Sequence, residues 1–286
     1  MKAKCFHYWC LFCSAMLLLC LLSLLGFILY RGVPTLSLSL YFGDTEPLKG
    51  FFGQAPIWDG IWPACVGTLA VVASALMIAL LPGLATGIWL ATAKTSKAKV
   101  LLELAVDILA GVPSILMGLF GFTLILLLRN TLLPSANTCL VLSAFCLAML
   151  IIPYLAVSTR TALQALPVSL SLTALSLGMT QWQALRFVLL PRAERGIRGG
   201  IMLAIGRAAE DTAVIMLTGA VANAGLPGGI FERFEALPFT IFYYSAQYQS
   251  EAELQMAFGA ALTLLCLTAT VFSMANWVTR FPGRNH

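Results

Sequence analysis

Apolar positions in this chain fall in long blocks, at about 9–30, 64–92, 100–128, 139–158, 197–222 and 256–279, rather than on one face of short helices. Each block is about 20 residues or more, enough to cross a hydrocarbon core of about 30 Å at about 1.5 Å per residue. The pattern predicts an all-α membrane protein with six transmembrane helices. Tyr8, Trp9 and Tyr30 bracket the first block and Trp277 closes the last, as aromatic side chains do at the two membrane–water boundaries. Pro82-Gly83 in the second block and Pro153 in the fourth predict kinks, which packed neighbours tolerate by satisfying the freed carbonyls. The first block follows lysines, as a signal peptide does. The run from Trp9 to Tyr30 is too long for a cleaved segment and lacks a small-residue cleavage site, so a retained helix is expected.

Composition supports this class. Hydrophobic residues make up 60% of the 286 positions and charged residues 10%, against about a quarter charged in an average soluble domain. A water-soluble fold with so few charges would not cover its own surface. The net charge of +5 matters through where its bases lie. With the N-terminus inside, the inner segments hold Lys2, Lys4, Lys94, Lys97, Lys99, Arg160, Arg186, Arg192, Arg195, Arg198, Arg280 and Arg284. The outer segments hold only Arg31, Lys49, Arg129 and Arg233. Twelve bases against four give a positive-inside bias that puts both termini in the cytoplasm. The eight cysteines mostly sit within or at the ends of apolar blocks, and Cys10 and Cys13 have CxxC spacing without a second pair. They read as small apolar residues, not as a metal or redox centre. The histidines, His7 and His286, are both terminal. No metal, cofactor or nucleic-acid partner is expected.

Two connections are long. The outer one, 31–63, is rich in glycine, proline and aromatics and reads as an ordered external loop. With the first span it makes a leading unit, 1–63, ahead of a main transmembrane unit, 64–286. The inner connection, 159–196, carries two short helices. One begins near Pro167, a residue suited to a first turn, and ends at Gly178, which can take a left-handed cap. Thr180 then opens the second, with Gln183 three residues on as in a capping box. That helix carries Trp182, Leu185, Phe187 and Val188 and is expected to stop at Leu190-Pro191. An apolar knob of this kind suits a groove on a partner protein, or equally the lipid surface.

The fifth block holds Arg207, Glu210 and Asp211. Counted from Ile197, Arg207 lies about 15 Å into the span, close to the mid-plane. Insertion of a central arginine or aspartate costs about 2.5–3.5 kcal/mol, so these groups face protein, water or one another. Spacings of three and four residues let both carboxylates reach the guanidinium. One reading is a structural pair pinning this helix to its neighbours; the other is the polar lining of an ion pathway. An arginine there suits an oxyanion, and a carboxylate beside it would accept a hydrogen bond from an oxyanion that keeps a proton.

Three stretches resemble a known family. Gly178, followed by Val188-Leu-Leu-Pro191, is similar to the second half of the EAA loop in the membrane subunits of bacterial ABC importers. Of the first half Ala174 is kept, while Leu172 and Thr173 replace the family glutamate and alanine. Arg207, Asp211, Thr212 and Ala213 resemble the G-R-A-x-G-E-T-A segment of phosphate-importer permeases, with Glu210 in place of a glycine. Gly111-Val-Pro113-Ser114-Ile-Leu-Met-Gly118 looks like that family's G-V-P-S-I-V-x-G stretch, though a kinked helix with small packing residues would also account for it. Leu237-Pro-Phe-Thr-Ile-Phe-Tyr and Arg160-Thr161 resemble the PstA type more than the PstC type.

The resemblance implies a type I ABC importer permease fold with a cytoplasmic coupling helix. It implies a multi-pass subunit of the bacterial inner membrane that moves inorganic phosphate. Its partners would be a PstC-like permease, two ATP-binding subunits and an external phosphate-binding protein. Arg207, Asp211, Glu210 and Arg160 would lie on the substrate route, and Pro167, Ala174, Gly178, Thr180, Trp182 and Pro191 in the ATPase-docking loop. The chain has no Walker A sequence, so ATP hydrolysis would reside in a partner. The alternatives are import of another oxyanion, such as phosphonate or molybdate, and an ATP-independent secondary carrier.

Overall fold

The first apolar block forms α1 (Lys2–Gly32), which meets α13 near its C-terminal end. There Phe27 meets Phe258 edge-on at 5.6 Å. A Cβ at Gly32 would lie 3.0 Å from the Phe258 carbonyl, so the glycine permits this close crossing. The structure, a computed structural model, describes the backbone of residues 2–280 and the side chains of residues 6–274. The side chains of Lys2, Lys4, Cys5, Trp277 and Arg280, and all of Arg284 and His286, lie outside the described residues. The connection 31–63 is ordered, as its composition predicts. It holds α2 (Leu38–Phe42) and α3 (Pro47–Phe51), and Trp62 packs on Phe42 at 5.6 Å and Phe51 at 5.2 Å.

The second block is α4 (Trp62–Thr92), which runs on as helix through Pro82. The third block is not one helix. It divides into α5 (Lys97–Gly111) and α6 (Ser114–Thr131), with Val112 extended at ψ 124°. Pro113 causes the break, because its ring disfavours helical geometry at the preceding residue and it has no N–H to give. The fourth block is α7 (Leu140–Gln164), longer at its C-terminal end than the apolar run and continuous through Pro153.

The connection 159–196 folds as α8 (Val168–Ser176) and α9 (Gln181–Ala184). The expected stop at Pro191 does not occur. A π-helical turn, Leu185–Leu189, joins α9 to α10 (Leu190–Glu210), and Pro191 sits in the first turn of α10. The wider turn re-registers the preceding carbonyls, so the missing N–H and the ring bulk are accommodated. The helix carrying Arg207 therefore begins at Leu190 rather than near Ile197. It also ends early, and α11 (Ala213–Thr218) starts after the break at Asp211-Thr212, so the expected single span 197–222 is two helices. Beyond it come α12 (Leu237–Gln247) and α13 (Glu251–Arg280).

Among the described residues, five helices are long and apolar enough to cross a membrane by themselves: α1, α4, α6, α7 and α13. The sixth crossing predicted from the sequence is the interrupted α10–α11 pair. Its first member is amphipathic, with Arg192, Arg195, Arg198 and Arg207 along its length.

At the centre α4 lies against α7. Small residues make the approach possible: a Cβ on Gly87 would lie 2.5 Å from the Ala156 carbonyl and 2.6 Å from Thr159 Cβ. Ala75 and Ala79 on α4 and Leu147, Ile151 and Leu155 on α7 are buried along this seam, with Ala204 of α10 and Ile215 of α11. Lipid is as apolar as leucine, so helices here gain from close packing more than from leaving water. The turns after α11 are stitched to this centre. Leu140 and Val141 donate backbone N–H groups to the Glu232 and Ile230 carbonyls at 2.9 Å, and Cys139 N–H donates to the Thr218 carbonyl at 3.0 Å.

Candidate functional site

The break between α10 and α11 is built around one carboxylate. Asp211 Oδ1 accepts the Val214 N–H at 2.8 Å, capping the first turn of α11. Its Oδ2 lies 3.3 Å from Arg207 Nη2, on the last turn of α10. A carboxylate satisfies the free N–H groups at a helix start and also favours the positive end of the helix dipole. Asp211 thus ends one helix and begins the next. Its side chain is 1% exposed, a charge kept from solvent but paired on both oxygens.

Arg207 also reaches Glu210, Nη1 to Oε1 at 3.3 Å. The three side chains differ in access: Glu210 is 67% exposed and Arg207 26%. Arg207 is held from behind by the buried aspartate and faces the open side with the more exposed glutamate. Each oxygen of Asp211 carries one partner here and keeps a second lone pair.

The two broken helices meet. A Cβ on Gly118 of α6 would stand 2.9 Å from the Ala213 carbonyl and 2.9 Å from Leu217 Cδ1, so glycine is what lets α6 lie on α11. Pro113 and Ser114 form the start of α6, and Gly111 faces open space. At the other end of α11, Thr218 Oγ1 is 2.8 Å from Ser143 Oγ on α7.

Arg160 lies elsewhere. It pairs with Glu103 of α5 at 3.1 Å, joining α7 to α5 rather than joining the Arg207 cluster. Glu103 and Asp107 are not among the residues that the sequence motifs single out, because they sit in a block that reads as apolar. Two carboxylates one turn apart in such a block are the available signal.

The connection between α7 and α10 has the expected local geometry. Gly178 takes φ +83°, in the left-handed region. Thr180 N–H donates to Gln183 Oε1 at 2.8 Å and Gln183 N–H to Thr180 Oγ1 at 3.3 Å, completing the capping box. Ala174, Ala184 and Leu185 turn inward and are buried, whereas Trp182 and Phe187 are each 64% exposed.

Between α11 and α12, Glu235 is buried and accepts the Gly225 N–H at 2.8 Å. The adjacent Leu237 N–H donates to Thr68 Oγ1 at 2.8 Å. Gly67 lies directly against the Glu235 carbonyl, which leaves no room for a Cβ. Burial pushes the Glu235 carboxyl up to about 7, opposed by the backbone N–H groups of Gly225 and Ala224.

Comparison with known proteins places this arrangement. A family described as binding-protein-dependent transport system inner membrane component matches residues 83–281. The chain is 29% identical over 245 residues to the phosphate transport system permease protein PstA of Haemophilus influenzae, covering 85% of this chain and 82% of that one. It is 30% identical over 243 residues to a PstA protein of Xylella fastidiosa, covering 84% and 80%. Among solved structures, an inward-facing form of the MetNI methionine ABC transporter superposes with a TM-score of 0.57 at 17% identity, over 82% of this chain and 98% of that one. That likeness shows the fold alone: a type I ABC importer permease. With the family matched over most of its length, the chain belongs to the binding-protein-dependent transport system inner membrane components, as a multi-pass permease of the PstA type.

Proposed function

We propose that this permease carries inorganic phosphate inward across the inner membrane, with Arg207 as the group that meets the anion. The observation that carries the reading is the Arg207 fork, backed by a buried aspartate and open on its other side, at a break between two helices. Broken helices beside a polar cluster are a recurrent way to build a site within a bilayer, since exposed backbone there must line a cavity or be covered by protein. A second permease of similar fold completes the pathway, and both termini lie in the cytoplasm. Two ATP-binding subunits seat the exposed Trp182–Phe187 knob in a groove, and an external binding protein delivers phosphate from the other side. ATP hydrolysis belongs to those partners. The continuous α9–π–α10 connection supports this coupling: movement of the knob passes along one helical path to Arg207, without a loop to absorb it.

The test is reconstitution of the full complex in proteoliposomes, measuring phosphate uptake and phosphate-stimulated ATP hydrolysis. Arg207→Gln is expected to lower both by about 10²-fold, the loss of a charge-assisted bidentate contact, while basal ATP hydrolysis persists. Coupled uptake at the unsubstituted rate in that variant overturns the proposal.

A further inference from the structure

One face of α10 runs from the Arg207 cluster to the start of the helix. Arg192, Arg195, Gly199, Leu203, Arg207 and Glu210 follow at spacings of three and four residues, one stripe about five turns long. Arg192, Arg195, Gly199, Leu203 and Glu210 are exposed, and a Cβ built on Gly199 would meet nothing within 4 Å. The other side of the helix is covered: Ala193, Gly200, Ala204 and Ala208 are buried, with Gly200 against Ser158 of α7. After Pro191 in its first turn α10 is continuous to Glu210, so whatever faces Arg207 also faces Arg195 and Arg192.

Packing sets the level of the two arginines. Ala193 shares a cluster with Leu163 and Leu166, at the C-terminal end of α7, and with Ala91, near the end of α4. Arg192 and Arg195 therefore stand level with the ends of the central helices, about 22 Å and about 18 Å along α10 from Arg207. The carboxylates at this end are taken: Glu194 pairs with Arg198 at 3.6 Å and Glu103 with Arg160 at 3.1 Å. Among the described residues Arg192 and Arg195 have no ion pair. Two guanidinium groups one turn apart repel unless an anion lies between them, and their forks suit a tetrahedral oxyanion. Lipid along this face would put Arg207 and Glu210 in hydrocarbon. Water suits both arginine ends and the open glycine, with Leu203 as the one apolar position.

We propose that Arg192 and Arg195 form a second station for a phosphate oxyanion, at the cytoplasmic mouth of the route, and that this face of α10 is the wall along which the anion leaves Arg207. This rests on the reading of the chain as a phosphate permease with the α7–α10 connection in the cytoplasm. Unpaired positive charge at the mouth favours an anion along the wall, where only Gly199 and Leu203 intervene and neither side chain can hold it. Because the station is open to water, it holds the anion weakly and gives it up to the solvent.

The experiment places a reporter between the stations. Gly199→Cys, a small side chain in open space, is made in the full complex in vesicles. Membrane-impermeant thiol reagents, one anionic and one cationic, are added to the cytoplasmic face, with the unsubstituted chain as background. Labelling is expected, with the anionic reagent favoured by roughly tenfold, and inorganic phosphate should slow it. Adding Arg192→Gln and Arg195→Gln should remove both the preference and the protection. No labelling in the complex would mean a face covered by lipid or by a partner subunit and overturns the proposal. Labelling with no preference for the anionic reagent, or a preference that survives the two glutamines, overturns it too. The series is run in phosphatidylcholine vesicles with and without added phosphatidylglycerol. Protection by phosphate in both assigns the station to the free anion; slowing by phosphatidylglycerol but not by phosphate assigns it to lipid headgroups and overturns the proposal. Phosphate uptake that survives Arg207→Gln would instead remove the phosphate route itself, and this inference with it.

Discussion

Glu235→Gln separates the burial of this side chain from its charge. The carboxyl is 7% exposed and shifted from an ordinary 4.5 up to about 7, with burial as the main cause. A folded-state value above the unfolded one means that the native protein binds the proton more tightly. The associated stability is therefore fully present below about pH 4.5 and is lost as pH rises towards 7. The difference between those two values, at about 1.4 kcal/mol per pH unit, amounts to about 3 kcal/mol. Glutamine keeps the size of the side chain and an oxygen to accept the Gly225 N–H, but has no charge to bury. The variant should gain on the unsubstituted protein as pH rises. With about 2 °C of Tm per kcal/mol for a chain of this size, the difference in Tm should grow by roughly 5 °C between about pH 5 and about pH 8. The assay is tryptophan-fluorescence thermal unfolding of purified protein in detergent micelles, run on both proteins across that range. Because both share every other titrating group, the difference isolates Glu235. A Tm difference that is the same at both ends of the range would refute the argument.

The proposed docking loop and the α6–α11 contact give two more tests. Thr180→Ala removes one arm of the capping box that starts α9, a loss of about 1 kcal/mol; phosphate-stimulated ATP hydrolysis in the reconstituted complex should fall severalfold while the amount of folded chain in the membrane is unchanged. Gly118→Leu places a side chain where a Cβ already comes within 2.9 Å of the Ala213 carbonyl; overpacking of about 1–3 kcal/mol should lower Tm and abolish uptake, whereas the same change at Gly111, which faces open space, should leave Tm within about 1 °C.

Much of the fold was legible because a bilayer leaves a chain few options. Apolar length alone located α1, α4, α7 and α13, and the ends missed by several residues were those where polar helix continues beyond the apolar run, as at Lys2, Gln164 and Glu251. The third and fifth spans were harder. Pro113 could be read as a kink or a break, and what decides is whether a neighbour fills the gap: α11 packs at Gly118, just beyond it. Pro191 misled in the opposite direction, since a π turn absorbs it and no local rule for proline includes that possibility. At the site, the spacing of Arg207, Glu210 and Asp211 predicted that they would meet, because pairs three and four residues apart need only a helix. That Asp211 would end the helix and cap the next one was not legible. A capping residue is recognised by a change of pattern on its C-terminal side, and the residues after Asp211 read as uninterrupted apolar span.

The sequence by itself determined the class, the positive-inside orientation it predicts, the capping box and the Arg207 pairing, because each depends on interactions within a few residues or on the hydrophobic thickness of the membrane. Only the tertiary structure decided which carboxylate Arg160 takes, that Glu235 is buried, and that Asp107 has no partner among the described residues. Those outcomes depend on which helix faces lie against one another. Burial and pairing between residues 57 positions apart, as Glu103 and Arg160 are, arise from packing that no local pattern encodes.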